Sequence, residues 1–367
     1  MPSLIRQEKF LLAALLVAIG AYLVEHTILE AGKTAALLAA VALILVIVLV
    51  STRVAHHAEI LAHKVGDPYG TMILTLSAVA VEVIILAILM SDSNSPTLVR
   101  DTIYSAVMLD INGILGLAAL LGGLRHGEQP YNDNSGKTYG VMILTAMGIS
   151  MVVPEFIPMD RWHYYSAFTI CAMIALYALF LRMQVGPHSY FFSYSYPRAA
   201  AKPPAEGGHA PQDGAEGSTA KSITVILIGV VLIGALAEFM SAFMGTGLAG
   251  SGAPPALMAV VVAGISAAPE ILTALRAALR NRMQAVVNIA MGASLSTVIL
   301  TVPVMEGIAL YTGQPFVMAM TSVQTVMVTI TLIAAAINLN DGETNAIEGM
   351  THFVLFATFI MLTMLGL

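Results

Sequence analysis

The chain has 367 residues, of which 58% are hydrophobic and only 10% charged, against roughly 25% charged in a soluble domain. With 16 Lys+Arg against 22 Asp+Glu the formal net charge is -6. No basic cluster survives outside short loops, so nucleic-acid binding has no electrostatic footprint. The only cysteine, Cys171, lies in an apolar run, which excludes an intrachain disulfide and a multi-cysteine metal site.

Breaks in hydropathy at Gly, Pro and charged residues mark eleven spans, roughly 10–28, 34–52, 70–90, 102–124, 139–156, 163–183, 222–243, 254–276, 284–305, 315–338 and 350–367. Each can cross much or all of a hydrocarbon core of about 30 Å. An all-α polytopic membrane protein, with the lipid bilayer as its solvent, follows. The first span resembles a signal-peptide core, but the later spans make an uncleaved helix the simpler reading. With the N-terminus placed in the cytoplasm, the loops on that side hold Arg6, Lys9, Arg53, Lys64, Arg125, Lys137, Arg182, Arg198, Lys202, Lys221, Arg276, Arg280 and Arg282. The other side keeps only Lys33, Arg100 and Arg161. The positive-inside rule supports that orientation and predicts a C-terminus outside.

Residues 184–221 differ in composition, with Pro187, Pro197, Pro203, Pro204 and Pro211 among several glycines. They read as a cytoplasmic linker. The linker sets an N-terminal segment with the first helix (1–33) and a five-helix unit (34–183) apart from a second five-helix unit (222–367). Five helices per unit force the two units to insert in opposite senses, the inverted-repeat plan of many secondary transporters.

The repeat is visible in the residues. Ala78-Val-Ala-Val-Glu82 in the third span matches Ser266-Ala-Ala-Pro-Glu270 in the eighth, small residues leading into one glutamate at mid-helix. Ala58-Glu59 pairs with Ala237-Glu238. Arg100 precedes a helix carrying Ser105, Asp110 and Asn112, as Arg282 precedes one carrying Asn288, Ser294, Ser296 and Thr297.

Glu82 lies roughly 18 Å into its span by helical rise, too deep to reach either surface. A carboxylate at that depth is costly unless it is protonated, paired or facing water, and in transporters it marks an ion or proton path. A purely structural, protonated glutamate is the alternative, and two at repeat-related positions count against it. Facing each other, Glu82 and Glu270 make a site of charge -2, with oxygens available from Thr75, Ser77, Asn112, Asn288, Ser294 and Thr297 and from carbonyls freed near Pro269. Oxygen-only ligands suit hard cations such as Ca²⁺ and Na⁺. Without a cation the pair would repel until protons bind, so cation and protons compete for the same oxygens. Asp110 is either a carboxylate supporting that site or a partner of a neighbouring hydroxyl.

The run His57-Ala-Glu59-Ile-Leu-Ala62 through Gly66, Gly70 and Glu82, the segment Ser266-Ala-Ala-Pro-Glu270, and Asn281-Arg-Met283 leading to Met291-Gly-Ala-Ser294 and Val302-Pro303 carry a resemblance. Together they resemble the cation/proton exchanger branch of the calcium:cation antiporter superfamily, and most closely its bacterial sodium-potassium/calcium:proton antiporters. The resemblance implies ten core helices in two inverted repeats, a bacterial inner-membrane location, and Glu82 and Glu270 binding Ca²⁺ or protons, with Asn112 and Ser294 lining the site. It implies a transporter that exchanges cytoplasmic Ca²⁺ for protons by alternating access and needs no cofactor. The family's Gly-Asn before each motif reads Ala78-Val79 and Ser266-Ala267 here, and the histidine after the second glutamate reads Ile271. These departures leave Na⁺ and K⁺ open as further substrates.

Other signals are weaker. Gly245-Thr-Gly247-Leu-Ala-Gly250 matches a dinucleotide fingerprint, but it lacks a preceding strand and is expected in an outward-facing loop. His56, His57 and His63 beside Glu59 could sense pH; a solvated helix end is the simpler reading, and Glu238 is placed similarly. An enzyme is disfavoured, since neither GxSxG nor HExxH occurs and no histidine is expected at mid-span beside a serine or glutamate. A cation channel with a glutamate-lined pore is the rival. A homo-oligomer is compatible with the sequence.

Overall fold

In the computed structural model, which describes residues 8–65, 69–92, 95–158, 160–186, 188–194, 219–254, 256–313 and 316–367, the apolar runs fold as helices. In chain order these are α1 (Lys9–Glu30), α2 (Lys33–Val65), α3 (Tyr69–Asp92), α4 (Leu98–His126), α5 (Asp133–Phe156), α6 (Trp162–Val185) and α7 (Thr219–Leu248). Then follow α8 (Ala256–Ser266), α9 (Ala268–Leu279), α10 (Met283–Thr312), α11 (Ser322–Asn338) and α12 (Ala346–Met364). Among the described residues, eight of these are long and apolar enough to cross a membrane, and α8 with α9, bent by 56°, can count as one more span. Two shorter apolar helices, Thr75–Met90 within α3 and α11, stand at the remaining expected positions. The eighth expected span is thus two half-helices broken at Ala267. Gly245 and Gly247 belong to the last turns of α7, so that fingerprint is helical and not a loop.

Local chemistry sets the ends. Asn132, Thr321 and Asn345 cap α5, α11 and α12 with side-chain oxygens on free backbone amides. Gly127 and Gly313 end α4 and α10 with φ of 80° and 68°, a region that favours glycine. Inside α4, α5 and α10 the hydrogen bonding slips into π-helical segments, Leu109–Leu115, Gly148–Val152 and Thr297–Thr301. In α10 the slip ends just before Pro303, which has no N–H to give to the turn behind it.

Contacts between loops divide the helix ends into two faces. On one, His126 approaches the carbonyl of Leu279 at 3.0 Å, Asn132 donates to the carbonyl of Tyr190 at 2.8 Å, and Tyr131 donates to the carbonyl of Asn338 at 3.2 Å. There β1 (Gln129–Pro130) pairs antiparallel with β2 (Glu343–Thr344). We call this the linker face, because α6 ends and α7 begins there. On the opposite, far face Val317 donates to the carbonyl of Pro96 at 2.9 Å, and Arg100 donates to the carbonyl of Ala319 at 2.8 Å. Ends of even-numbered expected spans meet on the linker face and ends of odd-numbered ones on the far face, the parity an eleven-span chain requires.

The two long helices α2 and α7 run along each other, and α4 crosses α8, α9 and α12. The α4–α12 crossing is tight: a Cβ on Gly349 would meet the backbone of Leu120, and one on Gly123 the backbone of Ala346.

At the linker face Glu8 ties α1, α2 and α7 together. Arg53 Nε and Nη2 donate to its two oxygens at 2.8 and 2.9 Å, Lys221 Nζ lies 3.3 Å from it, and His57 Nε2 lies 3.3 Å from it. His57 Nδ1 is 3.1 Å from the hydroxyl of Ser222. His57 is therefore not the solvated helix end expected from sequence. It is buried between Glu8, at the start of α1, and Ser222 of α7; His56 and Glu59 are exposed, and the side chain of His63 lies outside the described residues. The hydrogen bonds from Arg53 hold the Glu8 carboxyl down at about 2, from an ordinary 4.5. A carboxylate depressed in this way stabilises the fold above its ordinary value and loses that contribution as pH falls through the lower one. Glu8→Gln should cost about 2 kcal/mol of stability at pH 7, and unfolding scans in detergent should show the gap to the parent closing between pH 4.5 and about 2.

Candidate functional site

A cavity of about 570 Å³ opens among α2, α3, α4, α5, α6, α9 and α10. It runs from the middle of α3 to the linker face, where Gln184, Ser189, Phe192 and Ser193 border it. Its polar floor is made by Glu82 of α3, Asp110 of α4, Glu270 of α9 and Thr297 of α10.

Each of these side chains sits where a helix departs from regularity. Glu270 occupies the first turn of α9, directly after the break at Ala267 and beside Pro269, so unpaired amides and the positive end of the helix dipole face the same region as its carboxylate. Asp110 lies in the π-helical segment of α4, and Thr297 opens that of α10. Glu82 lies on the regular part of α3 and is held from α10: Thr297 donates to Glu82 Oε2 at 2.9 Å and Thr301 at 3.4 Å. Ser294, one turn before Thr297, donates to Asp110 Oδ2 at 3.2 Å. Helix α10 thus positions two carboxylates from two other helices.

Two carboxylate oxygens are left over. Glu82 Oε1 and Glu270 Oε2 are buried without a hydrogen-bond partner, a setting that proteins rarely leave unsatisfied. A hard cation or a proton would satisfy them. Among the described residues no three His, Cys, Asp or Glu side chains converge closely enough to hold a metal ion together. In this conformation the carboxylates border one cavity without closing on a common point.

Of the residues expected from sequence, Glu82, Glu270, Asp110, Thr75, Ser77, Asn288 and Thr297 border the cavity. Asn288 does so near the mouth, with its amide donating to the carbonyl of Phe192 at 2.8 Å. Ser294 stands behind Asp110. The structure turns Asn112 away: its amide donates to Thr331 at 2.7 Å and its oxygen faces His352 Nδ1 at 2.9 Å, so its hydrogen-bonding groups are taken up between α4, α11 and α12. His352, in the second turn of α12, is thereby committed to Asn112. Sequence reasoning missed Thr301, a fourth-residue repeat of Thr297 on one helix, and Glu306, a carboxylate set in an apolar stretch of α10. It also missed the aromatic group at the mouth, where Phe192 packs 5.4 Å from Tyr139 and 5.5 Å from Phe180 between ring centres.

The sodium/calcium exchanger protein family matches residues 35–186 and 221–365, leaving out α1 and most of the linker. The chain belongs to that family. It is 32% identical over 310 residues to the sodium-potassium/proton antiporter ChaA of Escherichia coli (strain K12), covering 84% of each chain. Its fold is similar to that of the Ca²⁺/H⁺ antiporter protein YfkE, with a TM-score of 0.75, 17% identity, and coverage of 97% of this chain and 98% of that one. It is also similar to the H⁺/Ca²⁺ exchanger CAX, with a TM-score of 0.64 and 15% identity over 97% of this chain and 88% of that one.

Because Thr297 directs Glu82, Thr297→Val should weaken cation binding about fivefold, the value of one hydrogen bond of about 1 kcal/mol. Thr297→Ser should stay close to the parent when both are compared by isothermal titration in detergent.

Proposed function

We propose that the chain is a secondary active antiporter that exchanges cytoplasmic Ca²⁺, with Na⁺ and K⁺ as further substrates, for protons by alternating access. The observation that carries this reading is the pair of buried, unpartnered oxygens on Glu82 and Glu270 beside one cavity that opens to a single face. Ion pairing to a resident Lys or Arg would have fixed the charge; these oxygens are left for an exchangeable ligand. The break between α8 and α9 and the π-helical segments in α4 and α10 lie beside the cavity, the kind of helix discontinuity that marks ion sites in other transporters. The membership of the family, and a relative described as a sodium-potassium/proton antiporter, point the same way and lend no support to a channel.

In this mechanism a partly hydrated cation enters from the linker face and displaces protons from Glu82 and Glu270, with Asp110 adding negative charge behind them. Closure of the cavity and opening toward the far face release the cation, and protons from that side return the carboxylates to neutrality. Asp and Glu oxygens bind either ligand, and exchange follows from the exclusion of one by the other.

Glu82→Gln and Glu270→Gln should each insert and fold but abolish exchange in everted vesicles. With the proton gradient collapsed, Ca²⁺ affinity of the parent should rise with pH, and log affinity against pH should exceed a slope of one over part of the range if two protons leave. A slope of zero from about pH 6 to 9 would sink the shared site.

We assign the linker face to the cytoplasm on the charge bias of the loops, and the membrane to the bacterial inner membrane on the resemblance to bacterial antiporters. A cysteine placed in the linker of a Cys171→Ala background should react with impermeant maleimide only from the cytoplasm, and one placed after Leu367 only from outside. Reaction of both from one side would overturn the topology.

A further inference from the structure

The exchange site as described uses three carboxylates, and a fourth lies on α10, the helix whose hydroxyls hold two of them. Glu306 is 2% exposed, its Oε2 has no hydrogen-bond partner, and Ser166 of α6 hydrogen-bonds to the side chain. It is five residues beyond Thr301, or roughly 7.5 Å along the helix, and six before the end of α10 at Thr312, roughly 9 Å from the far face. Ser166 likewise lies in the second turn of α6, which starts at the far face. Glu306 thus stands between the closed far face and the threonines that hold Glu82, outside the cavity that serves the linker face.

We propose that Glu306 is a proton-binding site that passes protons between the far face and Glu82, a role that rests on the antiporter reading above. A carboxylate in that position costs several kcal/mol as a bare charge, and the α6 groups recorded against it are the hydroxyl of Ser166 and the phenol of Tyr165. Tyr165 is committed to the carbonyl of Ile149 at 2.6 Å, which leaves the ligand of Glu306 to be exchangeable. From α3 the ionisable neighbour of this part of α10 is Glu82 itself. The site suits a proton better than a metal ion: one carboxylate and one hydroxyl are too few oxygens for a hard cation, whereas hydroxyls can both accept and donate. A proton arriving from the far face binds Glu306; as it moves on through the Thr301 hydroxyl and intervening water, Glu82 gains a proton and Glu306 is left to take the next. No charge is created overall. The π-helical segment Thr297–Thr301, at the Glu82 end of this path, gives α10 a place to bend, so that the relay connects when the far face opens and parts when it closes.

The test separates two fluxes in proteoliposomes. Ca²⁺:Ca²⁺ exchange moves cation through the site without net proton transfer, and Ca²⁺:H⁺ exchange needs it. Glu306→Gln keeps the shape and the Ser166 contact and should leave Ca²⁺:Ca²⁺ exchange within twofold of the parent while slowing Ca²⁺:H⁺ exchange at least tenfold. Glu306→Asp should recover a part of the proton-coupled rate. Equal rates in Glu306→Gln and the parent, or an equal loss of both fluxes, would overturn the proposal, the second result marking a structural role. Glu82→Gln is the control: it should lose both fluxes, and if it retains them the exchange site itself is misassigned whatever Glu306 does.

Discussion

The constraint on which the rest of this molecule depends is the cost of holding carboxylates away from water without a permanent counter-ion. Glu82, Asp110 and Glu306 are each buried to within 4% exposure, and Glu270 keeps a buried, unpartnered oxygen. No arginine or lysine is described as pairing with any of them; the described ion pairs lie at the two faces, at Glu8, Asp101, Asp133 and Asp160. What the fold supplies instead is partial: hydroxyls from Thr297, Thr301 and Ser294, and the start of a broken helix at Glu270. Partial compensation suits exchange, because complete compensation would hold one state and no compensation would not fold.

The helix irregularities follow from that need. A continuous helix satisfies all its own carbonyls and amides and offers nothing to an ion. The break at Ala267 starts α9 beside Glu270, and the slips in α4 and α10 place Asp110 and Thr297 on π-helical turns. Repeat-related helices carry related devices: a π-helical segment in the third helix of each five-helix unit, a capped start to the fourth, and a motif glutamate in the second. Polar contacts between helix starts tie both faces. On the linker face Gln284 joins the starts of α5 and α10 through neutral contacts, accepting from the amide of Asn132 at 2.7 Å and donating to Ser135 at 3.1 Å. On the far face Arg100 and Gln324 both donate to Asp101 Oδ1, at 2.7 and 2.9 Å, and the guanidinium also grips the carbonyl of Ala319. Charge-assisted bonds are about twice as strong as neutral ones; they tie the start of α4 to α11 here, as Arg53 and Glu8 tie α2 to the start of α1 on the linker face.

Much of this was legible in the sequence for a simple reason. Apolar length reports spans, loop charge reports sides, and two carboxylates in matched apolar surroundings report a site, because each is expensive to misplace. The broken eighth span was only hinted at by Pro269. Asn112 was misjudged because a polar residue in a span says that a partner exists without saying which; here the partners, Thr331 and His352, are more than 200 positions away in the chain. His57 was misjudged for the same reason, since its burial depends on Glu8 and Ser222. Glu306 escaped notice because it has no counterpart in the first unit, and the reading relied on repetition.

The missing motif amides bear on ion choice. At Ala78-Val79 and Ser266-Ala267 the side chains offer one hydroxyl where the family pattern would offer amides, and the Ser266 hydroxyl is already directed to the carbonyl of Ala263 at 3.0 Å. A divalent cation that binds here must take more of its oxygens from water and from Asp110 than from neutral side chains. Charge then substitutes for ligand number. With three carboxylates around the floor, one Ca²⁺ leaves a negative charge that a proton or a monovalent ion can balance, and the cavity is roomy enough to admit either with part of its hydration shell. Selectivity in such a site comes from how many protons each cation displaces more than from a fitted coordination shell, so in the exchange proposed above Ca²⁺ and Na⁺ would share the same carboxylates with different proton dependence.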